Sequence, residues 1–281
     1  MRFSKYHGTG NDFVMLADPL DEVVLAPELV RRLCDRRFGI GADGVIRAAP
    51  GRDGADLFMD YVNSDGSIGE MCGNGIRCLA LFARAQGLAH GDDLRVATRA
   101  GVKLVEVLED GRVRVDMGPP VFAPSAVPVR WDGTDALGAK LELDNEVIEA
   151  ACLSMGNPHA VVLVEDPADA PVATLGPAIE RHRAFPNHTN VEFVRVDSAR
   201  RLTMRVWERG AGETLACGTG ACAAAVVARL LAGAGDTVVV ALPGGELEVS
   251  WTGSLAEEAP VLLTGPAVES FTGEVDVEAP R

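Results

Sequence analysis

The most restrictive feature of this 281-residue sequence is an internal repeat. A Cys-Gly-x-Gly motif occurs at residues 72–75 and again at residues 217–220, 145 positions later. Each motif leads directly into an alanine-rich stretch with the apolar spacing of a helix. We therefore expect two similar structural units, each of which carries a cysteine at the start of a helix.

Further matches accompany the motif at offsets of 145 to 147 positions. They pair Gly10-Asn11 with Gly156-Asn157, Asn63 with Glu208, and Gly118-Pro119 with Gly265-Pro266. Because an ordered series at a nearly constant offset does not arise by chance, it indicates duplication of a unit covering about residues 3–122 and 149–271. The stretch 123–148, rich in Pro, Gly and Asp, joins the two copies.

Each copy has the coarse pattern of a strand, a helix, two strands, the motif helix and further strands. Apolar residues at helical spacing predict helices at residues 29–34, 76–83 and 222–231. Alternating, β-branched runs predict strands at residues 102–107, 112–115, 191–196, 202–207 and 237–242. The segment 221–228 is apolar nearly all round, which predicts a helix buried on all sides by the sheet of its own domain.

Composition narrows the possible partners and the compartment. The formal net charge of −15 argues against nucleic acid and anionic membranes, since both require a basic surface. The N-terminus lacks the apolar region of a signal peptide, and no stretch approaches the ~20 apolar residues of a membrane span. We expect a cytoplasmic protein in which the six cysteines stay reduced.

The two motif cysteines are candidates for acid and base chemistry on one substrate. A helix start exposes unpaired N–H groups and about half a positive charge, which stabilises a thiolate and binds a carboxylate. This effect is worth about 0.3 to 2 kcal/mol, so a thiol with an ordinary pKa of about 8.5 stays mostly protonated at neutral pH. A further base is needed, and His159 and Glu208 are the candidates. The other cysteines fit core packing: Cys34, Cys78, Cys152 and Cys222.

The residue patterns predict no metal and no cofactor. No C-x-x-C or H-E-x-x-H spacing occurs. Residues 39–44 match G-x-G-x-x-G, but they follow a helical stretch and precede a strand, the reverse of a dinucleotide-binding turn. The chain has only three lysines and none has a glycine-rich phosphate setting, which argues against pyridoxal phosphate.

Several longer motifs carry a family resemblance. They are residues 7–13, 39–43, 63–67, 70–77, 154–159, 189–193 and 207–221. Through them the chain resembles diaminopimelate epimerase over essentially its whole length. The resemblance implies a homodimeric isomerase, free of cofactor and metal, that interconverts LL- and meso-diaminopimelate in lysine and peptidoglycan biosynthesis.

The resemblance also implies the fold class, α/β (α+β). It predicts two pseudo-symmetric domains, each a curved, mostly antiparallel sheet wrapped around a central helix, with the active site in the cleft between them. We assign residues 1–117 with 266–281 to an N-terminal epimerase domain and residues 118–265 to a C-terminal epimerase domain.

Site roles follow from the same resemblance. Cys217 is the usual proton acceptor and Cys72 the donor, their roles reverse with reaction direction, and His159 and Glu208 tune the two sulfurs. The expected substrate contacts are Asn11, Asn63, Gly73, Asn74, Asn157, Asn190, Glu208, Arg209, Gly218 and Thr219. One position departs from the family pattern, because Gly44 stands where glutamine is usual and cannot make that contact.

Two other functions stay open on the sequence alone. A proline or hydroxyproline racemase also uses paired cysteines, although Arg209 and the asparagines favour a substrate with a second polar end. A thiol redox or ligand-binding protein would use the cysteines without turnover. Deuterium incorporation at the α-carbon of LL-diaminopimelate separates these functions from epimerisation.

Overall fold

The computed structural model describes residues 1–143 and 146–276. The chain divides into two compact units, which we call unit 1 (Met1–Val115 with Thr264–Arg281) and unit 2 (Asp116–Leu263). The domain boundaries proposed from the sequence, after residues 117 and 265, stand two residues beyond those of the units. Within the proposed domains, residues 144–145 and 277–281 lie outside the described residues.

Unit 1 is a mostly antiparallel sheet with one long helix. Its elements are β1 (Arg2–Gly8), β2 (Asn11–Ala17), α1 (Pro27–Cys34), β3 (Gly44–Pro50), β4 (Leu57–Asn63), α2 (Gly73–Ala85), β5 (Asp93–Thr98), β6 (Gly101–Val107), β7 (Val113–Asp116) and β17 (Val268–Glu274). β1 pairs antiparallel with β2 and β17, and the pairs β3–β4, β5–β6 and β6–β7 are also antiparallel. The pairs β2–β3 and β4–β5 are parallel.

Unit 2 repeats this arrangement. Its elements are β8 (Ala139–Leu143), β9 (Glu146–Ser154), β10 (Pro158–Leu163), α3 (Val172–Glu180), β11 (Asn190–Ser198), β12 (Arg201–Glu208), β13 (Gly212–Thr214), α4 (Gly218–Leu231), β14 (Thr237–Leu242) and β15 (Gly245–Ser250). The short strand β16 (Leu262–Gly265) includes the boundary between the two units. The antiparallel pairs are β8–β9, β9–β10, β11–β12, β12–β13 and β14–β15, and the parallel pairs are β10–β11 and β12–β14. The matching pairing order confirms the predicted α/β class with two pseudo-symmetric domains.

The motif helices are the buried centres of the two units. α2 packs against β1, β2, β3, β6 and β17, whereas α4 packs against β9, β10, β11, β12, β14 and β15. The run from Gly220 to Ala228 is buried without interruption, because small side chains let strands approach α4 on several sides. The predicted burial of this helix is confirmed. No helix in the described part of the chain is long and apolar enough to cross a membrane.

The stretch between the two copies contains an unpredicted strand. β8 and the start of β9 lie within residues 123–148 and pair antiparallel, with Ala139 opposite Ala150 and Leu141 opposite Ile148. Ala139 and Leu141 are buried, so alternate residues of β8 contribute to the core of unit 2. The Pro, Gly and Asp residues that suggested a plain connection concentrate before this strand.

Equivalent turns precede the first two polar residues of the predicted site. Thr9 and Gly10 have φ values of 51° and 83°, which give the two-residue hairpin between β1 and β2 its primed geometry. Gly156 has a φ of 95° in the turn between β9 and β10. Asn11 therefore begins β2, and Asn157 immediately precedes β10.

Two alanines on α2 allow a direct test of its central position. Ala83 is fully buried, whereas Ala85 in the last turn is exposed. We predict that Ala83→Leu lowers the free energy of unfolding by about 1 to 3 kcal/mol through overpacking, and that Ala85→Leu changes it by less than about 0.5 kcal/mol. Urea unfolding of both variants measures the difference, and equal effects would contradict a central α2.

Candidate active site

Both motif cysteines cap the central helix of their unit. Cys72 and Cys217 have extended backbone conformations, and their Sγ atoms each accept a hydrogen bond at 3.4 Å from the N–H of the third helical residue. The donors are Gly75 and Gly220. Each sulfur therefore lies at the positive end of a helix, beside first-turn N–H groups that favour an anion.

The second glycine of each motif makes room for a neighbouring side chain. A Cβ atom at Gly75 would lie 2.6 Å from Cδ1 of Ile46. A Cβ atom at Gly220 would lie 2.7 Å from Oε1 of Glu192. The two glycines are required for the same steric reason, although the neighbour is apolar in unit 1 and a carboxylate in unit 2.

In unit 1 the structure brings Asn11, Cys72 and Asn74 together. Sγ of Cys72 donates to Oδ1 of Asn11 at 3.6 Å, and Nδ2 of Asn74 donates to the same oxygen at 3.3 Å. Asn11 in turn donates from Nδ2 to Oδ2 of Asp43 at 2.7 Å. This chain of donors fixes the amide of Asn11 with its oxygen toward the sulfur.

Arg77 is a positioning residue that sequence reasoning missed. Its side chain is fully buried in α2 and donates to the carbonyl of Gly73 at 2.9 Å and to Oδ1 of Asn74 at 3.0 Å. Arg77 therefore holds the first turn of α2 from within. One sequence signal could have identified it. Arg77 lies within an apolar helical run, three residues after Asn74 and four after Gly73, so it is on the same helix face as both.

Asn63 lies at the end of β4 and has a different set of partners. Its Oδ1 accepts from the Tyr61 hydroxyl at 2.5 Å, and its Nδ2 donates to Oγ of Ser67 at 3.0 Å. Gly44 stands opposite Asn63 in the β3–β4 pair, and a Cβ atom there would lie 2.7 Å from Cε2 of Tyr61. The Tyr61 ring therefore fills the space into which a longer residue at position 44 would extend.

In unit 2 Cys217 lies beside Glu208 and Thr219. The Cys217 thiol and the Glu208 carboxylate interact electrostatically, and Sγ of Cys217 is 3.5 Å from Oγ1 of Thr219. Oε1 of Glu208 also accepts from Oγ1 of Thr214 at 2.5 Å. The sequence placed Glu208 at the end of the strand that precedes Cys217, and it is the last residue of β12.

The electrostatics of unit 2 keep Cys217 as a thiol. Burial raises the pKa of Cys217 well above its usual value, and the charges of Glu208 and Glu192 raise it further. Hydrogen bonds from Thr219 and the Gly220 N–H act in the opposite direction but are smaller. Burial also raises the pKa of Glu208, so this carboxylate is a better proton acceptor than an exposed glutamate.

His159 forms a second polar group in unit 2. Its ring is fully buried on β10, with Nδ1 2.6 Å from Oε1 of Glu192 and Nε2 2.9 Å from Oδ1 of Asn157. Glu192 was not singled out from the sequence. Asn157 and His159 were both predicted from the sequence as site residues, and the structure brings their side chains into contact.

Asn190 and Arg209 are connected through the backbone. Oδ1 of Asn190 accepts from the N–H of Arg209 at 3.0 Å, and its Nδ2 donates to the carbonyl of Pro158 at 2.9 Å. The exposed Arg209 guanidinium donates to the carbonyl of Asn187 at 3.3 Å. Glu180 anchors the same turn by accepting from the N–H of Gly210 at 2.9 Å.

The remaining cysteines pack in the interior, as predicted. Cys34, Cys78, Cys152 and Cys222 are buried. Burial raises the pKa of Cys34, Cys78 and Cys152 to about 12, which makes them poor nucleophiles at neutral pH. Among residues 1–143 and 146–276, no group of three or more His, Cys, Asp or Glu side chains has the geometry to hold a metal ion.

The space around Gly44 gives the first prediction for the site. We predict that Gly44→Gln lowers the free energy of unfolding by about 1 to 3 kcal/mol, because its Cβ meets Tyr61 and the carbonyl of Val62. Gly138→Gln is the control, since a Cβ there has nothing within 4 Å. Urea unfolding measures the free energy of unfolding of both variants. An unchanged value for Gly44→Gln would contradict the prediction and show that the Tyr61 ring moves aside without loss of stability.

The carboxylate beside Cys217 gives a pH prediction. Glu208→Gln removes a negative charge that disfavours the thiolate, so the pKa of Cys217 should fall and its alkylation should begin at lower pH. The rate of iodoacetamide modification against pH, measured in a Cys72→Ser background, tests this shift. Glu213→Gln serves as the control because Glu213 pairs with Arg205 instead. A shift to higher pH in the Glu208 variant would contradict the assignment.

Comparison with known proteins places the chain in one family. The family model described as diaminopimelate epimerase matches residues 3–123 and 151–269, nearly the two copies of the repeat. A diaminopimelate epimerase from Moorella thermoacetica is 49% identical over 284 residues, which cover 99% of this chain and 100% of that protein. Another from Thioalkalivibrio sulfidiphilus is 48% identical over 280 residues and covers 99% of both chains.

The fold has solved counterparts at low sequence identity. The structure of a probable proline racemase from Agrobacterium radiobacter matches with a TM-score of 0.73 and 18% identity, covering 99% of this chain and 93% of that one. At this identity the match concerns the fold alone. The sequence matches extend over nearly the full length of this chain and of its relatives, and they identify an isomerase: the chain belongs to the diaminopimelate epimerase family.

Proposed function

We propose that this protein converts LL-2,6-diaminopimelate to meso-diaminopimelate without a cofactor, using the Cys72 and Cys217 sulfurs as acid and base. The observation that carries the proposal is the pair of equivalent cysteine caps, one at the start of each central helix. Inversion of a stereocentre requires a base on one face of the α-carbon and an acid on the other. Two similar units with one sulfur each supply that pair of groups.

The polar surroundings of Cys217 suggest how it becomes a base. We infer that its thiol proton moves to the Glu208 carboxylate, which interacts with it electrostatically, and that this leaves a thiolate that removes the α-proton. The positive α-ammonium group of the substrate would offset the burial that raises the pKa of Cys217. The Cys72 thiol then delivers its proton to the opposite face of the carbanion. Reprotonation of Cys72 and loss of the proton from Glu208 restore the starting state, and the roles exchange in the reverse reaction.

The helix starts provide stabilisation for the carbanion. Negative charge that leaves the α-carbon spreads onto the adjacent carboxylate, and first-turn N–H groups are oriented to receive it. We assign this role to the backbone of Gly73, Asn74, Gly218 and Thr219. Such preoriented donors stabilise the transition state more than the ground state, which is the requirement for a faster chemical step.

Recognition of the two ends of the substrate uses the remaining polar residues. We assign the distal carboxylate to Arg209, which is exposed and pairs with none of the described carboxylates. The amides assigned to ammonium and carboxylate groups are Asn11, Asn63, Asn157 and Asn190. A racemase for proline would need an apolar pocket at the position of these polar groups.

The proposed product has two uses, in lysine synthesis and in peptidoglycan synthesis. We place the protein in the cytoplasm as a homodimer, in keeping with the family resemblance of its sequence motifs. Size-exclusion chromatography with light scattering gives the oligomeric state directly.

Exchange with solvent tests the function. In deuterated water, LL-diaminopimelate should gain deuterium at its α-carbon as the meso isomer forms, because the proton delivered comes from a thiol that exchanges with solvent. Mass spectrometry and chiral chromatography measure both events. Proline, supplied in parallel, should gain none. Absence of α-deuterium in diaminopimelate would refute the proposed function, and exchange into proline instead would assign the racemase.

Cysteine variants test the mechanism. Cys72→Ala and Cys217→Ala should each reduce epimerisation by at least about 100-fold, since each removes the group that handles a proton on one face. Cys78→Ala and Cys222→Ala are matched controls on the same two helices, and they should retain turnover. Circular dichroism verifies folding. Near-normal epimerisation by either motif variant would exclude the two-base mechanism.

A further inference from the structure

A buried histidine–glutamate pair occupies unit 2 where unit 1 is apolar. His159 and Glu192 lie on the parallel strands β10 and β11, where His159 is opposite Asn190. The same register in unit 1 sets Phe13 opposite Gly44 on β2 and β3. Phe13 and Ile46 thus hold the positions that correspond to His159 and Glu192, and all four side chains are fully buried.

The contacts of the His159 ring indicate its protonation. Nδ1 faces Oε1 of Glu192 at 2.6 Å, and Nε2 faces Oδ1 of Asn157 at 2.9 Å. When Glu192 is ionised, both facing oxygens are acceptors, and both contacts are then hydrogen bonds only if each ring nitrogen carries a proton. The ring is then an imidazolium, whose charge is balanced by the Glu192 carboxylate.

A carboxylate at position 192 does not favour folding of unit 2. Its Oε2 is buried and has no hydrogen-bond partner among the described residues. Burial of an incompletely paired carboxylate disfavours folding, and Ile46 occupies the corresponding place beside the motif glycine in unit 1. The carboxylate also lies against the first turn of α4, next to Cys217, where it disfavours the thiolate. Glu208 interacts electrostatically with both His159 and Glu192.

We propose that Glu192 is a positioning residue for epimerisation, which fixes the His159 ring and keeps it charged with its Nε2–H directed at Asn157. This inference rests on the proposed function, because Asn157 is one of the residues assigned to the substrate. With both ring nitrogens protonated, His159 is a hydrogen-bond donor to Asn157 and not the further base that the sequence suggested, and its charge stabilises negative charge as the α-proton leaves. Unit 1, with Phe13 and Ile46 in these positions, has no equivalent device there.

The primary test combines NMR and kinetics on Glu192→Gln. Ring ¹⁵N shifts of the full-length protein labelled at its five histidines should show two protonated nitrogens for His159, assigned by their loss in His159→Phe. In Glu192→Gln the ring should become neutral, with one protonated and one unprotonated nitrogen. For epimerisation of LL-diaminopimelate, kcat should fall roughly 10- to 1000-fold, with KM changed less than about threefold.

Three further variants separate positioning from loss of folding. Glu192→Asp keeps the charge and should recover part of kcat. Glu192→Ile with His159→Phe gives unit 2 the apolar pair that unit 1 already carries, so it should fold and be inactive. Asp18→Asn is the control, because Asp18 is another buried carboxylate, paired at 2.7 Å with Arg47 in unit 1. It should lower stability and leave kcat unchanged.

The outcomes are decisive in each direction. Unchanged kcat in Glu192→Gln overturns the positioning role, and so does a lower kcat with unchanged His159 ring shifts. A neutral His159 in the unmodified protein overturns the charged state. The ¹⁵N shifts of the His159 ring can be measured without turnover, so they test the histidine–glutamate pair independently of activity. Absence of deuterium in diaminopimelate would reject the proposed function and leave the ring shifts valid.

Discussion

The contact on which the structure depends is the cysteine cap of each central helix. A helix surrounded by its own sheet has few groups available for its first N–H donors, and the motif sulfur accepts from one of them. The cap requires an extended cysteine and a glycine three residues later, so Cys-Gly-x-Gly is a packing requirement as well as a chemical one. The same contact begins the helix and fixes the sulfur beside the remaining donors.

Sequence patterns predicted those parts of the fold that depend on local periodicity. The repeat, the buried motif helices and the cysteine positions follow from apolar spacing and glycine placement. The role of Glu192 could not be predicted in this way. Side chains alternate along a strand, so Glu192 points to the other face of β11 from Val191 and Phe193, and the sequence suggests that this face is exposed to solvent. Both faces of β11 are covered, so its first five residues are buried. Arg77 was missed for a related reason, since an arginine within a helix ordinarily lies at the surface.

The duplication kept the backbone and diversified the side chains at a few positions. The five consecutive pairings from β1 to β6 recur in unit 2, whereas Asn63 corresponds to Glu208 and Phe13 to His159. Unit 1 places amides around its sulfur, and unit 2 places carboxylates. The charge of a carboxylate raises the pKa of a nearby thiol, and a neutral amide carries no such charge. Two sulfurs in equivalent backbone positions therefore have differently charged surroundings.

The pairing of β1 with β17 joins the two ends of the described chain in one sheet. Arg2 pairs with Glu274, and the N-terminal ammonium donates to the carbonyl of Val275 at 2.8 Å. During synthesis, every strand of unit 2 is made before β17, the last strand of unit 1. Until β17 has been made, unit 2 therefore has all its strands while unit 1 still lacks one. Unit 1, although it begins first, is completed by a strand that follows unit 2 in the chain.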